Sequence, residues 1–498
     1  MSSAPVIADY IVVGAGSAGS IVATRLAAAG ADVIVVEAGG TDRRPDVVAG
    51  PGMLSLFATA NWKYECTPDP SRGGGAERFA SGRIVGGSGS INAMVYVRGR
   101  RSDYDDWAAT GCDGWSYDDV LPHFRAIENW VDGADEYRGD AGPISVSWCG
   151  HDHPVDDAFI AAAVDAGHEP NPDYNGASQT GVSKSQTNQR RGFRSSSARA
   201  FMHRAPRDRR PRLLTRTHAE RIVVENGRAT GIDCGGTILR AREEVILCAG
   251  AIGSAALLLR SGIGPDGEIA NLPGVGENFQ DHLSVTQYWE SKVPTANTMG
   301  PIDAVRAAAS FAASGTGTIA ASPFEAQLFT DEFQVAVTPI HYTIGRVDGR
   351  TRIERKDAFT VYSVLMHPQG RGRVILRDSR PVVDFARLGH PADVDALLRG
   401  ARLVRDLVES PAMTPVRGRS KNRDDLTGPD WLTQHEGSIY HAVGTCAMGT
   451  VVDPDLRLRG IAGLRIADAS VMPTLTSGNT NAPTMMIAHR GADLILHG

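Results

Sequence analysis

Apolar residues along this chain fall into a few sharply bounded runs. Asp9–Val13 (DYIVV) is short and β-branched, the pattern of a buried strand. GAGSAG follows directly, and in SIVATRLAAAG the apolar positions recur at helical spacing. Val33–Val36 is a second strand ending at Glu37, so the opening predicts one βαβ unit. Residues 82–99 form a Gly/Ser-rich loop that runs into an apolar segment, and DDVLPHFRAIENW predicts a helix. The segment 134–215 reads as polar, Arg-rich and irregular. Two alternating runs flank Asn226-Gly227, a hairpin signal. EVILCAG (244–250) predicts a buried strand with a helix after it through Leu259, and residues 290–360 read as weakly alternating short strands. LRIADAS (464–470) is a late buried strand, and 484–496 a terminal helix. No repeat has a fixed period.

Composition narrows the class. With 498 residues, 56 Gly and 6% aromatics, the chain suits an α/β protein with many tight turns rather than a collagen-like or disordered polymer. A net charge of −6 gives no indication of a nucleic-acid partner. The six cysteines lie far apart, which predicts reduced thiols in a cytoplasmic protein and no CxxC metal or redox pair. MSSAPVIADY lacks a basic n-region, so no signal peptide is expected, and Val245–Leu259 is too short and broken to span a bilayer.

The chemistry starts at Gly14, Gly16 and Gly19. In a G-x-G-x-x-G between strand and helix, the first Gly permits the tight turn. The second lets a pyrophosphate approach the backbone at the helix N-terminus, with Ser17 and Ala18 between them. Glu37 ends the second strand, where a carboxylate accepts ribose hydroxyls and repels a 2′-phosphate. NAD and FAD share this fingerprint. Its position at the N-terminus, the second glycine loop at 86–92 and the late strand LRIADAS favour FAD.

Several separate motifs resemble the glucose–methanol–choline (GMC) flavoprotein oxidoreductases, near the choline dehydrogenase-like branch that includes aryl-alcohol, hydroxymethylfurfural and pyridoxine oxidases. They are GRIVGGSGSINAMVYVRG (82–99), GAIGSAALLLRSGIG (250–264, with Ala255 at a usual Pro), GVGENFQDH (274–282), YHAVGTCAMG (440–449) and DASVMPTLTSGNTNAP (468–483). The resemblance implies a two-lobed α/β fold: a Rossmann-like FAD domain and a substrate domain built on an antiparallel sheet. Residues 1–285 would form the FAD domain, with 140–205 contributing to the substrate lobe. Residues 286–452 would form the substrate domain, and 453–498 would return to the FAD domain.

Carried onto this chain, Glu37 would hold the adenosine ribose, and the Arg221 backbone would touch the adenine. The loop Arg83–Val95 would line FAD through Val85, Gly87, Ser88, Asn92, Ala93, Met94 and Val95. Asp468 and Ala469 would meet the ribityl chain, and Thr480 and Asn481 the flavin ring. Ile91 stands where some members carry a flavin-linked His, so FAD is expected to be non-covalent. His441 is the implied base and Asn479 its partner. Alcohol oxidation needs a base whose pKa lies near neutrality, and His suits that. Tyr440, His341, Leu365 and His367 are candidates for the substrate pocket, residues 290–345 for its cover, and Asp281-His282 for a brace of the cofactor domain.

The expected activity is oxidation of a small primary alcohol, aromatic or aliphatic, with electrons passed to oxygen or another acceptor such as a quinone. A non-catalytic, FAD-stabilised binding protein is the alternative from another class. The run His151-Asp152-His153 is not read as a metal site, because sequential residues rarely converge on one ion.

Overall fold

The computed structural model describes residues 6–422 and 429–498, and it is organised around two seven-stranded sheets. In the first, Val6–Val13 lies parallel between Val33–Glu37 and Ile238–Leu247, and Arg212–Thr215 extends the sheet beyond Val33–Glu37. All five residues of VIVVE are buried, as expected for a parallel strand covered on both faces. The far side of Ile238–Leu247 is shared. The hairpin Arg221–Glu225 and Arg228–Asp233 pairs with its beginning, and Leu464–Ile466 runs parallel to its end. Asn226 and Gly227 turn the hairpin with φ of 51° and 73°, the paired left-handed conformation of a tight turn. The helix Gly19–Ala28 follows the first strand and packs on the last helix, Asn481–His497. Arg25 clamps the two by donating to the His489 carbonyl and to Asp493, each at 2.6 Å.

The second sheet is antiparallel, in the order Arg417–Ser420, Leu283–Ser291, Ala358–Leu365, Phe333–Thr338, Ala326–Phe329, Gly181–Lys184. Glu436–Ser438 also pairs with the start of Leu283–Ser291. Register divides its two faces. Leu283, Leu365 and Phe333 stand in one row and belong to the core beneath helices Pro154–Asp165 and Pro391–Glu409. The next row, Ser284, Val364 and Gln334, faces the other way.

Two segments differ from the sequence reading. The irregular stretch at 134–215 contains the helix Pro154–Asp165 and the strand Gly181–Lys184. The stretch read as short strands contains the helix Pro301–Ser314. That helix buries only Ala307 and leaves Ile302 and Val305 each 69% exposed, so no apolar stripe marked it.

The end of the glycine-rich loop is anchored by buried charge. Glu128 accepts from Arg98 Nη2 at 2.7 Å and from Arg138 Nε at 2.8 Å, and all three side chains are buried. Arg138 also pairs with Asp173 at 2.7 Å. Removing the central carboxylate leaves two guanidiniums out of water with one anion between them. Glu128→Gln is predicted to cost about 3–5 kcal/mol, read as a lowered urea midpoint. Arg101→Ala, which breaks the exposed Arg101–Asp118 pair, should leave the midpoint in place.

Candidate active site

Between the two sheets lies a cavity of about 1130 Å³. Its floor is the fingerprint. Gly14 adopts φ +100°, and a Cβ there would lie 2.5 Å from the Cys248 carbonyl oxygen. Gly87 abuts the same turn, and its Cβ would lie 2.8 Å from Gly16 Cα. Gly19 is a packing glycine off the cavity wall, with room for a Cβ denied by the Gly14 carbonyl oxygen 1.9 Å away. Ser17 Oγ donates to Asn481 Oδ1 at 2.7 Å and so joins the first turn to the last helix.

Glu37 is buried on the wall, accepting from the amides of Ala15 (2.9 Å) and Gly39 (2.7 Å). Burial pushes its pKa up to about 6, against the pull of those two amides. Asp468 accepts from Ser254 Oγ, Gly250 N and Ser470 N at 2.6, 2.8 and 2.8 Å. Ser88, Asn92, Ala93, Met94, Val95, Ala469, Thr480 and Ile91 complete the cofactor side. A helix N-terminus behind glycines, a carboxylate at the strand end and an elongated cavity suit a dinucleotide such as FAD.

Besides Gly19, further expected positions lie off the wall. Arg83 is exposed and stacks over Trp62, 4.8 Å from its ring centroid. Val85 is buried, its amide bonded to the Gly40 carbonyl at 2.9 Å. Arg221 points to solvent at a strand start, whereas Thr217, His218 and Ala219, just before it, line the cavity. Leu365 packs in the core on the opposite face, and its neighbour Val364 takes the wall, because strand side chains alternate.

The antiparallel sheet supplies the opposite wall through Thr286, Tyr288, Gln334, Ala336, Tyr362 and Val364. The expected cover at 290–345 is therefore a partial one. Phe324, Gln334, Ala336 and residues 341–344 reach the cavity, whereas 290–323, including GTGTIAASP, do not. His341 and Tyr440 line the wall, and His341 stacks on Tyr288 at 3.8 Å. His367 is off it, bonded to Ser477 Oγ at 3.0 Å.

His441 and Asn479 meet on this wall, with Asn479 Nδ2 3.3 Å from His441 Nε2. The sequence reading missed what orders them. His282 Nε2 sits 3.0 Å from the Met366 carbonyl oxygen, which only accepts, so that nitrogen carries hydrogen. In the neutral ring His282 Nδ1 then holds a lone pair. His441 Nδ1 lies 2.9 Å away and must donate to it. His441 Nε2 is left unprotonated, facing Asn479. Gln334 Nε2 donates to Asn479 Oδ1 at 3.0 Å, which turns the Asn479 amide nitrogen toward the ring. Burial lowers the His441 pKa to about 3, far from the near-neutral value expected of a base. His282 is also pushed down, by burial and by the neighbouring His441.

The backbone is pinned as well. Asp281 accepts from His441 N at 2.7 Å and from Ser438 Oγ, and Ser438 Oγ accepts from Tyr440 N at 2.8 Å. Tyr440 holds φ +62°, a strained conformation for an aromatic residue. Asp281 and His282 thus brace the segment that carries His441. The signal available was their place in GVGENFQDH, directly before the strand Leu283–Ser291.

Comparison with known proteins agrees with this arrangement. The family models for GMC oxidoreductases match residues 8–284 and 368–488. An oxygen-dependent choline dehydrogenase of Photobacterium profundum is 35% identical, covering 98% of this chain and 93% of its own. The crystal structure of pyridoxine 4-oxidase from Mesorbium loti superposes with a TM-score of 0.87 at 27% identity, over 98% of this chain and 99% of that one. A fungal aryl-alcohol oxidase shares the fold, with a TM-score of 0.80 at 22% identity over 98% of each chain.

A methyl group at the first fingerprint glycine has nowhere to go. Gly14→Ala is predicted to yield folded protein that has lost most of its bound flavin, measured as the ratio of flavin to protein absorbance after desalting. Retention at the wild-type ratio would show that the turn does not seat the pyrophosphate.

Proposed function

We propose that this chain, which belongs to the GMC oxidoreductases, oxidises a small primary alcohol, aromatic or aliphatic, to its aldehyde, with His441 as base and Asn479 beside it. The observation that carries the reading is the lone pair on His441 Nε2, set by the bond chain from the Met366 carbonyl through His282. FAD bound in the cavity supplies the acceptor for the hydride that leaves the alcohol carbon. His441 Nε2 takes the hydroxyl proton. Asn479 Nδ2, held by Gln334, donates to the oxygen as charge gathers there. Tyr288, His341, Phe324 and Tyr362 give the substrate wall an aromatic face, which suits a flat or short apolar substituent.

Ile91 offers only hydrocarbon at the cavity wall, so it has no atom to bond to the flavin, and the cofactor is held non-covalently. Glu37 takes the ribose and the loop 87–95 the flavin. The first sheet, with residues 1–285 and 453–498, serves the cofactor. The second, with 286–452 and part of 140–205, serves the substrate. Electrons then pass to oxygen or another acceptor. Two relatives named as an oxygen-dependent dehydrogenase and an oxidase favour oxygen. Six free cysteines suit a reducing cytoplasm, and no helix among the described residues is long and apolar enough to cross a membrane.

The test is anaerobic stopped-flow bleaching of the flavin over an alcohol panel, followed by readmission of air. His441→Ala is predicted to slow reduction by about 100- to 10,000-fold with the flavin still bound. Asn479→Ala should cost less, about 10- to 1,000-fold, because the base survives. If His441→Ala keeps the wild-type rate, the base lies elsewhere. Acid or heat should release the flavin into the supernatant. Colour that stays on the precipitated chain would contradict non-covalent binding.

The depressed His441 pKa fixes the sign of the pH dependence. The neutral, active ring predominates at every pH above the lowered value of about 3. Rising pH therefore gains no further active base, and the reduction rate is predicted to be flat between about pH 5 and about pH 9. A rate that climbs tenfold through one ionisation near the ordinary His value of about 6.5 would mean that the ring is charged in the resting enzyme.

A further inference from the structure

A second cavity, of about 440 Å³, lies outside the cofactor site and shares no lining residue with it. Arg43, Arg190, Arg194, Arg199, Arg204 and His203 line it. Asp208 is the one acid between Arg190 and Arg212 in the sequence. Among the described residues none of these five arginines has a carboxylate within ion-pair distance. Asp42, beside Arg43, lies 2.8 Å from His203 Nε2 through Oδ1, while its Oδ2 is buried without a hydrogen-bond partner. Five guanidiniums around one hollow repel each other unless an anion is added.

Arg194 is 2% exposed, and its donors are only partly met. Nε donates to the Val47 carbonyl at 2.9 Å, and Nη1 to Asn92 Oδ1 at 2.5 Å and to the Gly89 carbonyl at 3.2 Å. Nη2 is buried with no hydrogen-bond partner. A buried guanidinium with an unmet donor is costly by itself and points to a missing acceptor. Burial and the charge of Arg199 both act to lower its affinity for its proton, so a nearby anion would relieve the same stress.

We propose that this cavity binds a small polyanion carrying a phosphate or pyrophosphate group. Planar guanidiniums match phosphate oxygens two at a time, and several around one hollow favour two or more negative charges. The volume is that of a small-molecule site rather than of a flat surface for a polymer. Phe193, 45% exposed at the rim and set edge-on to Phe311 at 4.9 Å, offers an apolar shelf for the rest of the ligand. Arg194 joins the cavity to Asn92 and Gly89 of the flavin-side loop, so occupancy would be felt where the cofactor sits.

The probe is inorganic pyrophosphate, titrated calorimetrically into the flavin-loaded protein in a phosphate-free, low-salt buffer. One saturable site is expected, weakened by added salt. Arg199→Ala and Arg43→Ala should each weaken it by about tenfold or more, with flavin content and thermal midpoint unchanged. If Arg199→Ala disturbs the fold, Arg204→Glu, on an exposed side chain, gives the same readout. No saturable binding, or binding indifferent to these substitutions, overturns the proposal. So does tight binding of single-stranded DNA without pyrophosphate binding, which would make the arginines a nucleic-acid surface.

Discussion

The carbonyl of Met366 is a hydrogen-bond acceptor and nothing else, and the polarity of the candidate active site descends from that. It obliges His282 Nε2 to carry the proton, which makes His282 Nδ1 an acceptor, which in turn makes His441 Nδ1 a donor. Each link has one solution while both rings are neutral, and burial keeps them neutral. Met366 directly follows the strand Ala358–Leu365, and His282 directly precedes Leu283–Ser291, its paired neighbour. The tautomer of His441 is thus written into the pairing of two adjacent strands of the antiparallel sheet, beyond whose paired ends Leu283 and Leu365 both groups sit.

Distant parts of the chain must meet for this to matter. His441 rides on a loop after Glu436–Ser438, Asn479 on the approach to the last helix, and Gln334 on a third strand of the sheet. The last helix is fixed to the first by Arg25 and to the fingerprint turn by Ser17–Asn481. The parallel sheet repeats the idea, since Leu464–Ile466 pairs directly with Ile238–Leu247. Closure of the chain on its own beginning places the amide of Asn479 against the ring that the other sheet has oriented.

The sequence was legible where one physical requirement picked out few residues. A strand covered on both faces needs an unbroken apolar run, which DYIVV and VIVVE provide. A turn with φ near +100° and a carbonyl at its shoulder needs glycine, which Gly14 provides. It was less legible where the requirement lay elsewhere in the fold. Val364 and Leu365 are both apolar, and only the register with Ser284 and Gln334 tells which one faces the cavity. Pro301–Ser314 is a helix that buries only Ala307, so its apolar positions mark no core-facing stripe. The role of His282 depends on a carbonyl 84 positions away, which no local pattern encodes.

In the role proposed for His441, a base kept neutral by burial is a weak one at rest, and the same burial that leaves it ready to accept a proton disfavours the cation it becomes. Catalysis requires that the cation be stabilised more than the neutral ring. His282 can do this without charge of its own. Its Nδ1 lone pair already accepts from His441 Nδ1, and that bond strengthens when the donor becomes positive. A carboxylate in its place would favour the imidazolium before substrate arrives and would occupy the base. Asp281, a buried acid, accepts from the His441 backbone amide instead of the ring. In the proposed reaction the Asp281 carboxyl therefore holds the position of His441, while the neutral His282 answers its change of charge, and the ring stays free of a proton until the alcohol delivers one.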